Sequence, residues 1–154
     1  MKKLCSNQLN MLAFIFVLLI STSIKASGTD LIVWAKGSKA HGTFAHFKVV
    51  VNGFECGDKY TCSTYKGYCF SIPFAESEIR NIKIVFDNDH YSLGEDRNLY
   101  VERIIIGNNL CIPADSKKVE YVCTNGMYVD YPGIMGWEGA LIFDFTKSNF
   151  SPLM

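Results

Sequence analysis

Apolar and polar positions alternate along short runs of this chain, with the period of half-buried strands. In the clearest run Ile82, Ile84 and Phe86 fall on one face and Lys83 and Val85 on the other. Similar β-branched and aromatic runs occupy residues 31–35, 46–51, 68–72, 99–106, 119–122 and 140–145. Turn signals separate them, among them Asn52-Gly53, Lys66-Gly67, Asn125-Gly126 and Pro132-Gly133. No run sustains a helical period, and only residues 75–80 could form a single helical turn. Many short strands at this spacing predict an all-β fold, a β-sandwich. Without a linker, repeat or low-complexity tract, residues 27–154 read as one domain.

The first 26 residues stand apart from this pattern. Lys2 and Lys3 precede an apolar core at residues 11–20, and Ile24-Lys25-Ala26 offers a cleavage site before Ser27. That is the layout of a signal peptide, too short to span a bilayer comfortably; a retained anchor is the alternative. Cys5 lies ahead of the apolar core, which does not suit a lipoprotein. The expected location is secreted or periplasmic, with no membrane association after cleavage. The full chain balances 15 basic and 15 acidic residues, and loss of Lys2, Lys3 and Lys25 leaves 12 against 15, a net of −3. Such a surface argues against nucleic acid as a partner and suits a neutral ligand. Asn149-Phe150-Ser151 would be a glycosylation acceptor only in a eukaryotic secretory pathway.

Export also bears on the cysteines. Cys56, Cys62, Cys69, Cys111 and Cys123 follow the leader, and an oxidising compartment would pair them. Cys111 and Cys123 flank an expected hairpin, so a bridge is expected there. Of Cys56, Cys62 and Cys69, two are expected to bridge and one to be left over, buried or linking two chains; Cys62–Cys69, with a Lys66-Gly67 turn between, is the favoured pair. A zinc site is the rival, but no C-x-x-C spacing supports it.

Between two of the strand runs, Asp87, Asp89, Glu95 and Asp96 crowd into ten residues, followed by Arg97. Carboxylates this close repel unless solvent or a cation lies among them. Calcium, which accepts about six to eight oxygens in loose geometry, suits such donors; the alternative is a solvated acidic loop. An EF-hand is excluded, because Tyr91, Ser92 and Asn98 stand at its required positions. His90 lies inside the loop. His41 and His46 have no third metal ligand near in sequence. Trp34, on the first strand, is expected in the core. Trp137, held between Gly136 and the pair Glu138-Gly139, could present its face to a sugar ring or close the core. Tyr91, Tyr128 and Tyr131 are weaker candidates of that kind. No serine elbow, zinc-binding helix or phosphate-binding glycine loop is present, so no catalytic activity is expected.

Two stretches carry a resemblance: IKIVFDND followed by DRNLYVERIIIGN, and MGWEGALIFDF at residues 135–145. With LIVWAKG and HFKVVVNGFECG ahead of them, they resemble the calcium-dependent xylan-binding modules, carbohydrate-binding module families sixty and thirty-six. Glu102 stands where the family carries Asp, and the segment from Cys56 to Cys69 is longer. The resemblance implies a sandwich of jelly-roll type. It also implies recognition through calcium, whose open coordination positions take two adjacent sugar hydroxyls of a polysaccharide or other glycan. Carried over, Asp89 (with Asp87 as its near alternative) and Asp96 match the ligand carboxylates, and Glu95 would offer its backbone carbonyl. Arg97 and Asn98 belong to the matched motif, and His90, Tyr91, Asn98 and Trp137 are the expected ligand contacts. The rival reading is a secreted structural or host-interaction sandwich without sugar binding.

Overall fold

The computed structural model describes residues 28–146 except 109. The leader and the Asn149 sequon therefore lie outside the described residues.

Among the described residues fourteen strands follow in order: β1 (Thr29–Gly37), β2 (Lys39–Ala40), β3 (Thr43–Phe44), β4 (His46–Val51), β5 (Phe54–Tyr60), β6 (Lys66–Ile72), β7 (Asn81–Phe86), β8 (His90–Ser92), β9 (Glu95–Arg97), β10 (Leu99–Ile106), β11 (Leu110–Pro113), β12 (Val119–Cys123), β13 (Tyr128–Val129) and β14 (Gly139–Asp144). A single 3-10 turn at Glu76–Glu78 falls where a helical turn was expected. Two antiparallel sheets, β11-β10-β1-β6 and β13-β12-β14-β7-β4-β5, make the predicted sandwich. Two small hairpins, β2–β3 and β8–β9, stand outside these sheets.

The alternation foreseen in the chain sorts residues to the two faces. From β1, Leu31, Val33 and Ala35 point inward; from β7, Ile82, Ile84 and Phe86 do the same. Phe47 of β4 meets Tyr68 and Phe70 of β6 edge-on, at 5.4 and 5.9 Å between ring centroids, so one ring joins the two sheets. Truncating a fully buried aromatic of this kind costs about 3–5 kcal/mol.

Three expectations are corrected. Trp34 takes an outward position of β1 and is half-buried, with the Arg103 guanidinium 4.6 Å from its ring centroid; it is not a core residue. Strict alternation, with Val33 and Ala35 inward, leaves it no other face. Neither expected disulfide is present, since all five described cysteines are free thiols. Cys111 and Cys123 do not flank a hairpin: β11 and β12 belong to different sheets, with Cys111 exposed and Cys123 buried. Cys69 is exposed beside Ile32 on the outer face of β6, while the Cys62 thiol sits 3.8 Å from the hydroxyl of inward-pointing Tyr68.

Candidate functional site

The acidic stretch folds as the β8–β9 hairpin, pairing His90 with Arg97 and Tyr91 with Asp96. Its tip is Leu93-Gly94, both at positive φ (52° and 83°), the left-handed pair that a two-residue hairpin turn requires. Arg97 is buried and spends its guanidinium on backbone. Nε donates to Thr43 O at 3.0 Å, Nη1 to Asn88 O at 2.6 Å, and Nη2 to Ala40 O. The one cation of the stretch thus ties the hairpin to β2–β3 instead of pairing with the carboxylates. Ser38 adds a second tie: its hydroxyl donates to Asp96 O at 2.6 Å and accepts from Asn98 N at 2.7 Å.

The four acidic candidates meet different fates. Asp87 leaves the cluster. Its carboxylate lies 2.6 Å from His46 Nδ1 and 3.4 Å from Lys48 Nζ. Glu95 is exposed and accepts the His41 N–H at 2.7 Å. Asp89 and Asp96 line one cleft together. Asp89 Oδ1 is buried and unpartnered. Burial lifts the Asp89 carboxyl above its usual range, and the charges of Asp96 and Glu138 add to the effect. Asn98 is buried with an equally unpartnered Oδ1, facing the bare backbone of Gly136, where a Cβ would come within 3.4 Å. His90 Nε2 is a further buried atom without a partner, its ring 5.5 Å from that of His41.

Trp137 stands out of the fold with 59% of its surface exposed, so it does not close the core. The reason is in its backbone. Tyr121 Oη donates to Trp137 O and accepts from Trp137 N at 3.2 Å, so one buried hydroxyl holds the residue by both its polar groups. Gly139 follows at a point where a Cβ would meet Val122 O at 2.4 Å, so only glycine lets the chain enter β14 there. Tyr131 repeats the device on Val101, accepting its N–H at 2.8 Å and donating to its carbonyl at 3.0 Å. Burial pushes both phenols well above their ordinary value, so both stay O–H donors. The segment before Trp137 is sewn to the hairpin's exit by the Leu99–Met135 pair, N to O at 3.1 and 2.8 Å.

Asp89 and Trp137 are shared by two open clefts. One, about 420 Å³, is lined by Asp96, Asn98, Tyr91 and Gly136 among others. The other, about 310 Å³, is lined by Asn125, Met127 and Glu138 among others. Tyr91 and Tyr128 are strongly exposed, at 75% and 73%. Tyr131 instead fastens the framework. Sequence reasoning passed over Glu138 and Tyr121. Glu138 was legible as the acid beside Trp137 in the Gly-Trp-Glu-Gly stretch. Tyr121 was not, since nothing in a strand residue announces a contact 16 positions away.

Among the described residues, no group of three His, Cys, Asp or Glu side chains makes a ready metal cluster. The convergent donors are two carboxylates and an amide oxygen, Asp89, Asp96 and Asn98, with two acceptor atoms lacking partners. All are hard oxygen donors, the kind calcium accepts and zinc or copper does not favour.

Two solved structures share the fold. One is vCBM60 in complex with galactobiose, 18% identical, with a TM-score of 0.56 over 75% of this chain and 97% of that one. The other is the selenomethionine form of vCBM60, described with a circular permutation linking two families of calcium-dependent carbohydrate binding modules; it is 17% identical, with the same TM-score, over 75% of this chain and 90% of that one. No curated protein matches the chain. The family model for CBM60, the Ca-dependent xylan-binding carbohydrate-binding module, matches residues 30–120, more than half of the sequence. That span contains the whole β8–β9 hairpin and its flanking strands, and the chain therefore belongs to the CBM60 family of carbohydrate-binding modules.

Proposed function

We propose that this protein is a secreted, non-catalytic module that binds polysaccharide through a calcium ion held at Asp89, Asp96 and Asn98. The observation that carries the reading is the pair of buried, unpartnered oxygens, Asp89 Oδ1 and Asn98 Oδ1, on residues that line one cleft. A buried acceptor without a partner costs about 1–3 kcal/mol, so two in one place point to a ligand that satisfies them. Calcium bound there supplies Lewis-acid coordination for two adjacent hydroxyls of a sugar ring. Glu138 adds negative charge from the far side of Asp89. Trp137, fixed by Tyr121, offers an apolar face for the C–H side of a sugar, and Tyr91 edges the same cleft. The His90 ring lies against that of His41. Xylan, from the family's description, and galactobiose, from the vCBM60 complex, are the first sugars to try.

The test is calorimetric. The metal-stripped protein is titrated with calcium, then with xylobiose and galactobiose in calcium and in chelator. Sugar heat that needs calcium, and that disappears in Asp96→Ala, is the expected result. Calcium heat with no response to any sugar would mean a structural clamp, and the rival host-interaction reading would stand. No calcium heat would remove the site.

A further inference from the structure

On the outer side of the four-stranded sheet lies another cleft, of about 490 Å³, lined by Tyr65, Glu102, Arg103, Asp115, Tyr131 and Gly133 among others. Its size falls within the range of small-ligand pockets, roughly 300–1,000 Å³. A bulge creates it. Trp34 pairs with Arg103 and Ala35 with Val101, so Glu102 is one residue too many on β10. Bulges re-aim side chains. Here Val101 and Ile104 stay buried while Glu102 and Arg103, neighbours in sequence, both turn outward.

The pair is held rigidly. Arg103 Nη1 donates to Glu102 Oε1 at 2.6 Å, and the Arg103 guanidinium stacks over Trp34 at 4.6 Å. The Glu102 carbonyl is tied by Ala114 N at 2.9 Å. Tyr65 forms another wall, 40% exposed, with the Lys36 ammonium 4.7 Å from its ring centroid. Glu102 and Asp115 are opposed by Arg103 and by nearby Lys36, so neither an anion nor a cation gains a net field. A preorganised carboxylate–guanidinium pair beside an aromatic ring suits a neutral polyhydroxylated ring: charged groups make strong hydrogen bonds to hydroxyls, and the ring takes the C–H face.

The position of this cleft matters as much as its chemistry. Residues 131–134 form a wall between it and the Asp89 cleft. Tyr131 and Gly133 line one side, and Pro132 and Ile134 line the other. At Gly133 the wall carries no side chain and borders open space: φ is +93° and a Cβ would meet nothing within 4 Å.

We propose that the Tyr65–Glu102–Arg103 cleft is a metal-independent subsite for neutral polysaccharide, taking a further stretch of the chain whose first sugars sit at Asp89 and Trp137. The sugar class rests on the function proposed above; the cleft, the bulge and the wall do not.

The experiment is titration calorimetry on the purified protein with disaccharide and hexasaccharide of xylan, of β-galactan and of cellulose, each in calcium and in chelator. Wild type is compared with Tyr65→Ala and Glu102→Gln, both checked for an unchanged melting temperature. In calcium the hexasaccharide should bind wild type about tenfold more tightly than the disaccharide, the size of effect an added aromatic contact provides. Tyr65→Ala should erase that advantage and leave the disaccharide affinity as it was. In chelator a weak hexasaccharide signal should remain in wild type and vanish in Tyr65→Ala. Hexasaccharide affinity unchanged in both variants overturns the subsite and leaves the calcium site standing. A chelator-resistant signal that Tyr65→Ala removes, without any calcium-dependent binding, supports the subsite and overturns the calcium reading. Silence from every sugar in both conditions overturns both.

Discussion

Asp87 and Asp89 lie two residues apart in one acidic stretch, yet they belong to different chemical regions. At the edge of the six-stranded sheet, Asp87 sits with His46, Lys48 and Asp58, and the charges there satisfy one another. In the cleft beside Trp137, Asp89 keeps a buried oxygen with no partner and shares its surroundings with two more acids. The first region stabilises the fold modestly. The second leaves a polar deficit that a ligand can fill. Identical side chains become a brace or a binding site according to what the tertiary structure sets opposite them.

The sharpest way to break this comparison is to remove one carboxylate from each side. Asp96→Ala or Asp89→Ala should weaken calcium by at least about a hundredfold, since ligand charge count tunes such sites over decades. Asp87→Ala should leave calcium binding within a factor of about three. Metal-free stability should move the other way. Losing the unpartnered Asp89 carboxylate should raise it by about 1 kcal/mol in denaturant unfolding, while losing Asp87 should lower it.

Next in size is the aromatic platform. Trp137→Ala should cost about tenfold in sugar affinity with calcium affinity and melting temperature unchanged, because the side chain is mostly exposed. A Trp137→Ala protein that binds sugar as wild type does would remove the platform from the site. A smaller effect is expected for Tyr121→Phe, which deletes the hydroxyl holding the Trp137 backbone. It should cost about 1 kcal/mol in stability and a few-fold in sugar affinity, again by calorimetry.

The smallest effect concerns the Asp87 side. Burial pulls the His46 imidazole down, but hydrogen bonds to Asp58 and Asp87, with their charges, raise it above its ordinary value. A raised folded-state value stabilises fully below the unfolded imidazole value of about 6.5 and is lost as pH climbs through the folded value. Asp58 is lowered by the same His46 bond, so its share is present above the usual carboxylate range and lost as pH falls. Thermal melts should therefore show this bridge at full strength between those ranges, with a small decline above neutrality. His46→Gln should flatten that decline; a wild-type profile already flat there would show that the bridge contributes nothing.

The strands that alternate strictly were legible. Ile82-Lys83-Ile84-Val85-Phe86 could bury one face only, and β1, β4 and β14 followed the same logic, while β10 does so on either side of its bulge. β5 was not foreseen, because Phe54–Tyr60 shows no alternation of buried and exposed positions and owes its pairing to β4. The β8–β9 hairpin was hidden by a Leu-Gly turn in place of the usual Asn-Gly. The expected disulfides failed because spacing along the chain says nothing about which sheet, or which face of a sheet, a thiol joins.

For the candidate site, the sequence by itself determined the region and its chemistry: hard oxygens crowded at one loop, a tryptophan between glycines, and a resemblance to a calcium-dependent xylan-binding family. Residue chemistry suffices for the first two, and the third rests on the resemblance of whole motifs. Only the tertiary structure decided that Arg97 is spent on carbonyls, that Asp87 turns to His46, and that Asp89 and Asn98 are left buried without partners. It alone set Tyr121 under Trp137 and placed the Glu102 bulge beyond the 131–134 wall. These are contacts between residues distant in the chain, and the free energy of a charge or a buried polar atom depends on what lies within a few ångströms of it in space, not on its neighbours in sequence.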